Sequence, residues 1–212
     1  MKVSNKLCVS RLYMYRKALS RFKQMGCIKI FSDNLADGIG VTSSQVRKDF
    51  SIFGLSGNKK GGYLVEDLIQ KLDEILGKNK PQRVIVIGAG NIGTALMKYK
   101  AFVKEGLEIA AAFDTDSAKV DRADEIPVLP LSELADFVRQ NDIRVGIIAV
   151  PDIVAQEVLN VMISAGIRGA LNFAPIRLNV PEDFIINNVN VGVELETVIY
   201  MVNALDRRPG NE

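Results

Sequence analysis

The residues whose spacing carries the most chemistry are Gly88-Ala89-Gly90-Asn91-Ile92-Gly93 and, 21 positions past the last of them, Asp114. A Gly-x-Gly-x-x-Gly turn lets backbone amides approach a pyrophosphate, and an acidic residue about 20 positions on accepts the ribose hydroxyls. No Arg directly follows Asp114 to receive a 2′-phosphate, which favours NAD(H) over NADP(H). Chemistry on such a ligand needs an acid or base, and the sequence holds no histidine. A His general base, a Ser-His-Asp triad and a His-ligated metal are thereby excluded. Cys8 and Cys27 are the only thiols, too few for a thiolate zinc site and suited to a reducing compartment. No catalytic residue is expected.

A second set of chemically suggestive residues lies upstream. Ser43, Ser44, Gln45 and Arg47 are spaced to reach base edges from the start of a helix, while Lys48, Lys59 and Lys60 suit phosphates. Charge distribution agrees. Residues 1–80 carry 15 Lys and Arg against 7 Asp and Glu, a net of +8; residues 81–212 carry 12 against 18, a net of −6. A basic half joined to an acidic one suggests a nucleic-acid-facing part and a different module.

The elements that must position these residues can be read from periodicity. Leu12, Tyr15, Leu19 and Phe22 mark a helix over 9–25 that Gly26 ends, and Ile28 to Ile30 reads as a short strand. Ser32 suits the N-cap of a short helix that Gly38 and Gly40 break. Thr42 and Gln45 form a capping box for a helix over 43–53, with Val46, Phe50 and Phe53 inward. These are the parts of a helix-turn-helix over about 12–53. The Gly-rich run 54–63, with Lys59 and Lys60 at its tip, predicts a β-hairpin wing, and Val65, Leu68, Leu72 and Leu76 a closing helix. Residues 1–80 therefore read as a winged-helix DNA-binding domain.

Gly77 to Pro81 marks the boundary. Arg83–Ile87 is a buried-strand pattern running into the Gly turn, and a helix with Ala95, Leu96 and Tyr99 follows. Leu107–Phe113 is a second strand; Ser132 caps a helix to about Gln140; Val145–Val150 and Gly169–Phe173 are the fourth and fifth strands, and Ile185–Val191 a last one. Strands alternating with helices define an α/β fold, a Rossmann (doubly wound parallel sheet) domain over 81–191. Ligands in such sheets lie beyond the carboxyl ends of the strands. Val150, Pro151, Asn172, Phe173, Ala174 and Pro175, with Tyr99 and Phe102, are accordingly expected around the nicotinamide. No Tyr-x-x-x-Lys pair follows the fourth strand, and no length remains for a substrate domain. The pattern points to a nucleotide-responsive regulator. A small NAD(P)-dependent oxidoreductase and a CoA-binding module are the alternatives. No apolar leader follows Lys2 and Lys6 and no apolar run approaches 18 residues, so a cytoplasmic protein without membrane contact is expected.

Taken together, Ser44–Gly54, Gly62-Tyr63, Gly88–Gly93, Phe113–Asp116, Leu171–Pro175 and Val193–Leu195 resemble the Rex family of redox-sensing transcriptional repressors over essentially the whole chain. The resemblance implies a homodimer that binds a palindromic double-stranded operator and is released by NADH. It further implies that residues 192–212 form a dimerisation helix, with Val193, Val198, Met201 and Leu205 on it, swapped between the partner's domains. Three positions depart from the family pattern: the wing glycines are shifted at Gly61-Gly62, Ala101 replaces a usual Gly, and Asn190 replaces a frequent Asp. In the family that Asp is associated with a cross-subunit contact to an Arg in the position of Arg16.

Overall fold

Helical spacing of apolar residues builds the first of two units, Met1–Pro81 and Gln82–Glu212, into which the chain divides. The computed structural model describes residues 6–57, 61–120 and 125–206. In the first unit α1 (Lys6–Gln24), β1 (Lys29–Ile30), α2 (Ser32–Ile39), α3 (Ser43–Ile52), β2 (Tyr63–Leu64) and α4 (Val65–Ile75) follow one another. Leu12, Tyr15 and Leu19 of α1, Val46 and Phe50 of α3, and Leu68 and Leu72 of α4 share one core.

The tip of the expected wing, residues 58–60 with Lys59 and Lys60, lies outside the described residues. Among the described residues, strand β2 at the end of the run 54–63 pairs antiparallel with β1 upstream, Ile30 opposite Tyr63. That pairing brings Ile30 into the core. Ser32 is not a cap. Phe31 holds that position, and the Asn34 side-chain oxygen accepts from the Phe31 amide at 3.1 Å. The Ser32 hydroxyl is engaged instead by Arg47, whose Nη1 donates to it at 3.0 Å. Gly38 sits inside α2, and Gly40 at φ 73° ends it.

The second unit is one parallel sheet, ordered β5-β4-β3-β6-β7-β8. Its strands are β3 (Gln82–Ile87), β4 (Leu107–Asp114), β5 (Val128–Pro130), β6 (Val145–Ile148), β7 (Gly169–Asn172) and β8 (Ile185–Asn188). By position within the unit this is the 3-2-1-4-5-6 order, with its switch point between β3 and β6. The helices are α5 (Asn91–Met97), α6 (Ala101–Lys104), α7 (Leu134–Asn141), α8 (Asp152–Ser164) and α9 (Val191–Asp206). Ile85, Phe113, Ile148 and Leu159 anchor one side of the sheet; Val86, Ala112 and Val128 belong to a second cluster.

Two local readings change, and one strand is added. The helix after the Gly turn stops at Met97, so Tyr99 falls outside it and stacks edge-on against Phe102, 5.0 Å between ring centres. Ser132 does not cap, because a 3-10 turn over Leu131–Glu133 leads into α7. β5 is a strand of only three residues, too short to show alternation in sequence.

Candidate nucleotide and nucleic-acid sites

The Gly turn is built where the sheet order reverses. The Gly88 amide donates to Phe113 O at 2.7 Å and the Ala149 amide to Ile87 O at 2.8 Å, so the ends of β3, β4 and β6 are tied together. Gly88 has φ 102°, and a Cβ there would lie 2.5 Å from Ala149 O. A Cβ at Gly93 would lie 1.8 Å from Gly88 O, so α5 closes directly onto the turn. A Cβ at Gly90 would meet nothing within 4 Å. The turn is therefore tight on the protein side and open at the Gly90 position, which is the shape a pyrophosphate requires.

Asp114, at the tip of β4, faces this turn. Its Oδ2 accepts from the Ala89 amide at 2.8 Å, and its Oδ1 from the Asp116 amide at 2.9 Å. Lys119 Nζ donates to Oδ2 at 3.2 Å. Burial pushes the carboxyl pKa upward, but the Asp116 and Ala89 amides and Lys119 outweigh it and hold the pKa below the ordinary value. Asp114 is thus a charged acceptor, as ribose binding needs. Lys119 escaped the sequence reading because it reaches Asp114 through a turn, in which the Ala118 amide donates to Asp116 Oδ1 at 3.0 Å.

The other expected residues follow the ends of β6 and β7. Val150 and Phe173 are half-buried, Pro151 and Pro175 exposed, Ala174 buried. Asn172 is fully buried. Its side-chain oxygen accepts from the Ala174 amide at 2.9 Å, and its Nδ2 donates to Ala174 O and Ile176 O, 3.1 Å each, and to Asn188 Oδ1 at 2.9 Å. Asn172 thus shapes the loop, and the residues it leaves facing outward are its neighbours. Ala89 and Gly93 are also buried, whereas Asn91 and Ile92 are exposed.

On the first unit, α3 carries Ser43, Ser44, Gln45, Arg47 and Lys48 within two turns, with Ser44, Arg47 and Lys48 exposed. Thr42 caps the helix, its hydroxyl accepting from the Gln45 amide at 3.1 Å. The reciprocal half of the capping box is not made: the Gln45 side chain turns to Asp49, Nε2 to Oδ1 at 2.7 Å. Asp49 is the residue the sequence reading passed over. It is fully buried and collects Arg11 Nε at 2.6 Å, Arg11 Nη2 at 2.8 Å, Tyr15 Oη at 2.9 Å and Cys8 Sγ at 3.2 Å. Burial raises its pKa, but the hydrogen bonds from Arg11, Cys8, Gln45 and Tyr15 more than reverse this and bring it to about 2. Burial, together with this carboxylate, pushes the Cys8 thiol and the Tyr15 phenol up. A signal for Asp49 was present: it shares the i, i+3, i+4 stripe of Val46 and Phe50, and a carboxylate on a buried stripe must be paired.

Asn190 precedes α9. Its side-chain oxygen accepts from the Val193 amide and its carbonyl from the Glu194 amide, both at 3.1 Å, so it caps that helix. Arg16 pairs within its own unit, Nε to Asp73 Oδ1 at 2.8 Å and Nη2 to Asp73 Oδ2 at 3.0 Å. Among the described residues no cluster of acidic, Cys or His side chains could hold a metal, and no helix is long and apolar enough to cross a membrane.

A winged helix followed by a Rossmann unit defines a class: transcription regulators that read a nucleotide. Residues 2–51 match the family model described as a putative DNA-binding protein N-terminus, and residues 79–176 the model described as a CoA binding domain. The chain is 41% identical to a redox-sensing transcriptional repressor Rex of Desulforamulus reducens, over 91% of this chain and 92% of that one. It is 40% identical to Rex of Carboxydothermus hydrogenoformans, over 92% and 94%. The crystal structure of RSP, a Rex-family repressor, superposes with a TM-score of 0.84 at 33% identity, covering 97% of both chains. RSP in complex with NAD⁺ and operator DNA gives 0.89 at 34% identity over 97% and 95%, and RSP with NADH gives 0.82 at 34% over 97% of both. The chain belongs to the Rex family of redox-sensing transcriptional repressors, and its role is regulatory rather than enzymatic.

Proposed function

We propose that this chain binds operator DNA as a homodimer through α3 and the wing, and lets it go when NADH occupies the Rossmann unit. The observation that carries the reading is Asp114: a charged acceptor bonded to the Ala89 amide of a Gly turn at the switch point, in a chain that also holds a winged helix. The residues fit a dinucleotide. The turn from Gly88 to Gly93 would hold the pyrophosphate, Asp114 the adenosine ribose, and the ends of β6 and β7 the nicotinamide. Oxidised nicotinamide carries a positive charge that the reduced ring lacks, and an unpaired cation is costly among apolar groups. Tyr99, Phe102, Val150 and Phe173 supply apolar surface there and no carboxylate, so they favour the reduced form. A ligand shifts a conformational equilibrium only through such a difference in affinity.

Two observations support the partners. Exposed Arg47 and Lys48 lie beside the capped start of α3, where a recognition helix meets bases and phosphates. Every residue of α9 is exposed, including Val193, Leu195, Val198, Ile199 and Met201, which supports a helix that a second copy of the chain covers. The solved relative RSP was captured with operator DNA and NAD⁺ and, separately, with NADH.

The test is a mobility shift on a pool of promoter fragments with NAD⁺ and NADH titrated separately. NADH should weaken DNA binding and NAD⁺ should not; equal effects overturn the reading. Arg47→Ala should lose specific DNA binding and keep NADH, and Asp114→Ala the reverse. The family model's name makes CoA the competitor to include: CoA that displaces NADH would move the ligand assignment to that class. Substrate-dependent NADH oxidation would favour the oxidoreductase alternative instead.

A further inference from the structure

Asn172 lies between the loop that follows β7 and the strand that feeds α9, and it is bonded to both. On the loop side its carboxamide closes a ring with residues 174–176: oxygen from the Ala174 amide, Nδ2 to the Ala174 and Ile176 carbonyls. On the other side Nδ2 reaches Asn188 Oδ1 at 2.9 Å, and the Asn172 carbonyl accepts from the Val189 amide at 2.8 Å. One residue further, Asn190 caps the first turn of α9. An unbroken run of hydrogen bonds and adjacent residues thus joins Ala174–Ile176 to the start of α9.

The donor count makes this junction divisible. A carboxamide nitrogen has two hydrogens, and Asn172 Nδ2 has three acceptors within reach. One acceptor must share or wait. A change in how the Ala174 or Ile176 carbonyl is engaged therefore alters how firmly Asn188 is held, at the cost of redistributing neutral hydrogen bonds rather than exposing a charge. The Asn172 side chain is fully buried, so water does not compete for its hydrogens, whereas Asn188 is exposed.

We infer that the Asn172–Asn188 hydrogen bond is the positioning contact through which the state of the nicotinamide-side loop reaches α9. The inference rests on the proposed function, which puts the nicotinamide beside Phe173, Ala174 and Pro175. On this inference Asn188 is a positioning residue that sets how much one site feels the other. Contiguity alone does not establish coupling, so the measured quantity is the coupling itself.

The experiment compares wild type, Asn188→Ala and Asn188→Asp. Each full-length protein is measured for NADH affinity by fluorescence, and for operator-fragment affinity by anisotropy without ligand and at saturating NADH. Asn188→Ala leaves Asn172 two hydrogens for two carbonyls; Asn188→Asp keeps an acceptor oxygen. In wild type the loss of operator affinity on adding NADH should fall in the range usual for coupled sites, about 5- to 150-fold. Asn188→Ala should keep both separate affinities and drive that ratio toward one, while Asn188→Asp retains it. If the Ala variant folds poorly, Asn188→Val, which suits a strand and also lacks the acceptor, carries the same expectation. A wild-type ratio in the acceptor-free variant overturns the inference, as does an equal loss in the Ala and Asp variants. Wild-type protein that ignores NADH overturns the functional reading, a result distinct from either.

Discussion

Two polar side chains are fully buried among the described residues, one in each unit, and they are held in opposite ways. Asp49 in the helical unit is an anion gripped by four side chains, two of its donors coming from Arg11. Asn172 in the sheet unit is neutral and is bonded mostly to backbone and one other amide. An anion in that position cannot give up its partners cheaply, since breaking a buried pair strands a charge. A carboxamide can redistribute its bonds at small cost. The first arrangement suits a helix that must present Arg47 and Lys48 in one fixed pose. The second suits the junction inferred above, which redistributes its bonds between states.

Removing each hub is the sharpest way to break this contrast. Asp49→Ala leaves Arg11 beside an apolar core and should cost about 3–5 kcal/mol in denaturant unfolding, with loss of DNA binding. Asn172→Ala frees two carbonyls, the Asn188 carboxamide oxygen and the Ala174 amide, all neutral; it should cost less, about 1–3 kcal/mol. If the two costs are equal, the distinction between a rigid and a yielding hub fails.

Acid provides the second test. The Asp49 pKa is about 2 in the folded chain, below the value of about 3.9 for an unperturbed Asp. A depressed carboxyl stabilises the folded state above its unfolded pKa and loses that contribution as pH falls through the folded one. The stability gap between wild type and Asp49→Asn should be full at pH 5 and shrink between about pH 4 and pH 2. The gap between wild type and Asn172→Ala contains no titrating group and should stay flat. A flat profile for both would show that Asp49 is not held as an anion.

The smallest effects compare two helix caps. Thr42→Ala removes the hydroxyl at the start of α3, and Asn190→Ala the carboxamide at the start of α9; each should cost about 1 kcal/mol. The first should fall on operator affinity and the second on the response to NADH, with separate binding curves as the readout.

How much of this was legible in the sequence depends on whether the signal is local. The Gly88–Gly93 turn and Asp114 show a strand, a turn and an acidic residue at fixed spacing, and each element is a short stretch of chain. The Thr42 cap was equally local. Several of the readings that changed were decided by partners far along the chain. Gln45 turned from the Thr42 amide to Asp49, whose other donors come from α1, 34 to 41 residues upstream. β2 found its partner across α2 and α3. Asn188 gains its meaning only once β8 has paired with β7, and Lys119 only through the turn that carries it back to Asp114, so no spacing rule picks them out.

The exposed helix α9 has a consequence for how the protein should be handled. Sixteen residues are near the limit at which an isolated helix persists in water even when rich in alanine, and this one is crowded with β-branched Val and Ile. None of its residues is buried within the chain; on the proposed reading a second copy of the chain covers it, and its shape is then supplied by mass action. Its melting temperature should therefore climb with protein concentration. Dilution, long before heat or denaturant, becomes the gentlest way to take the molecule apart.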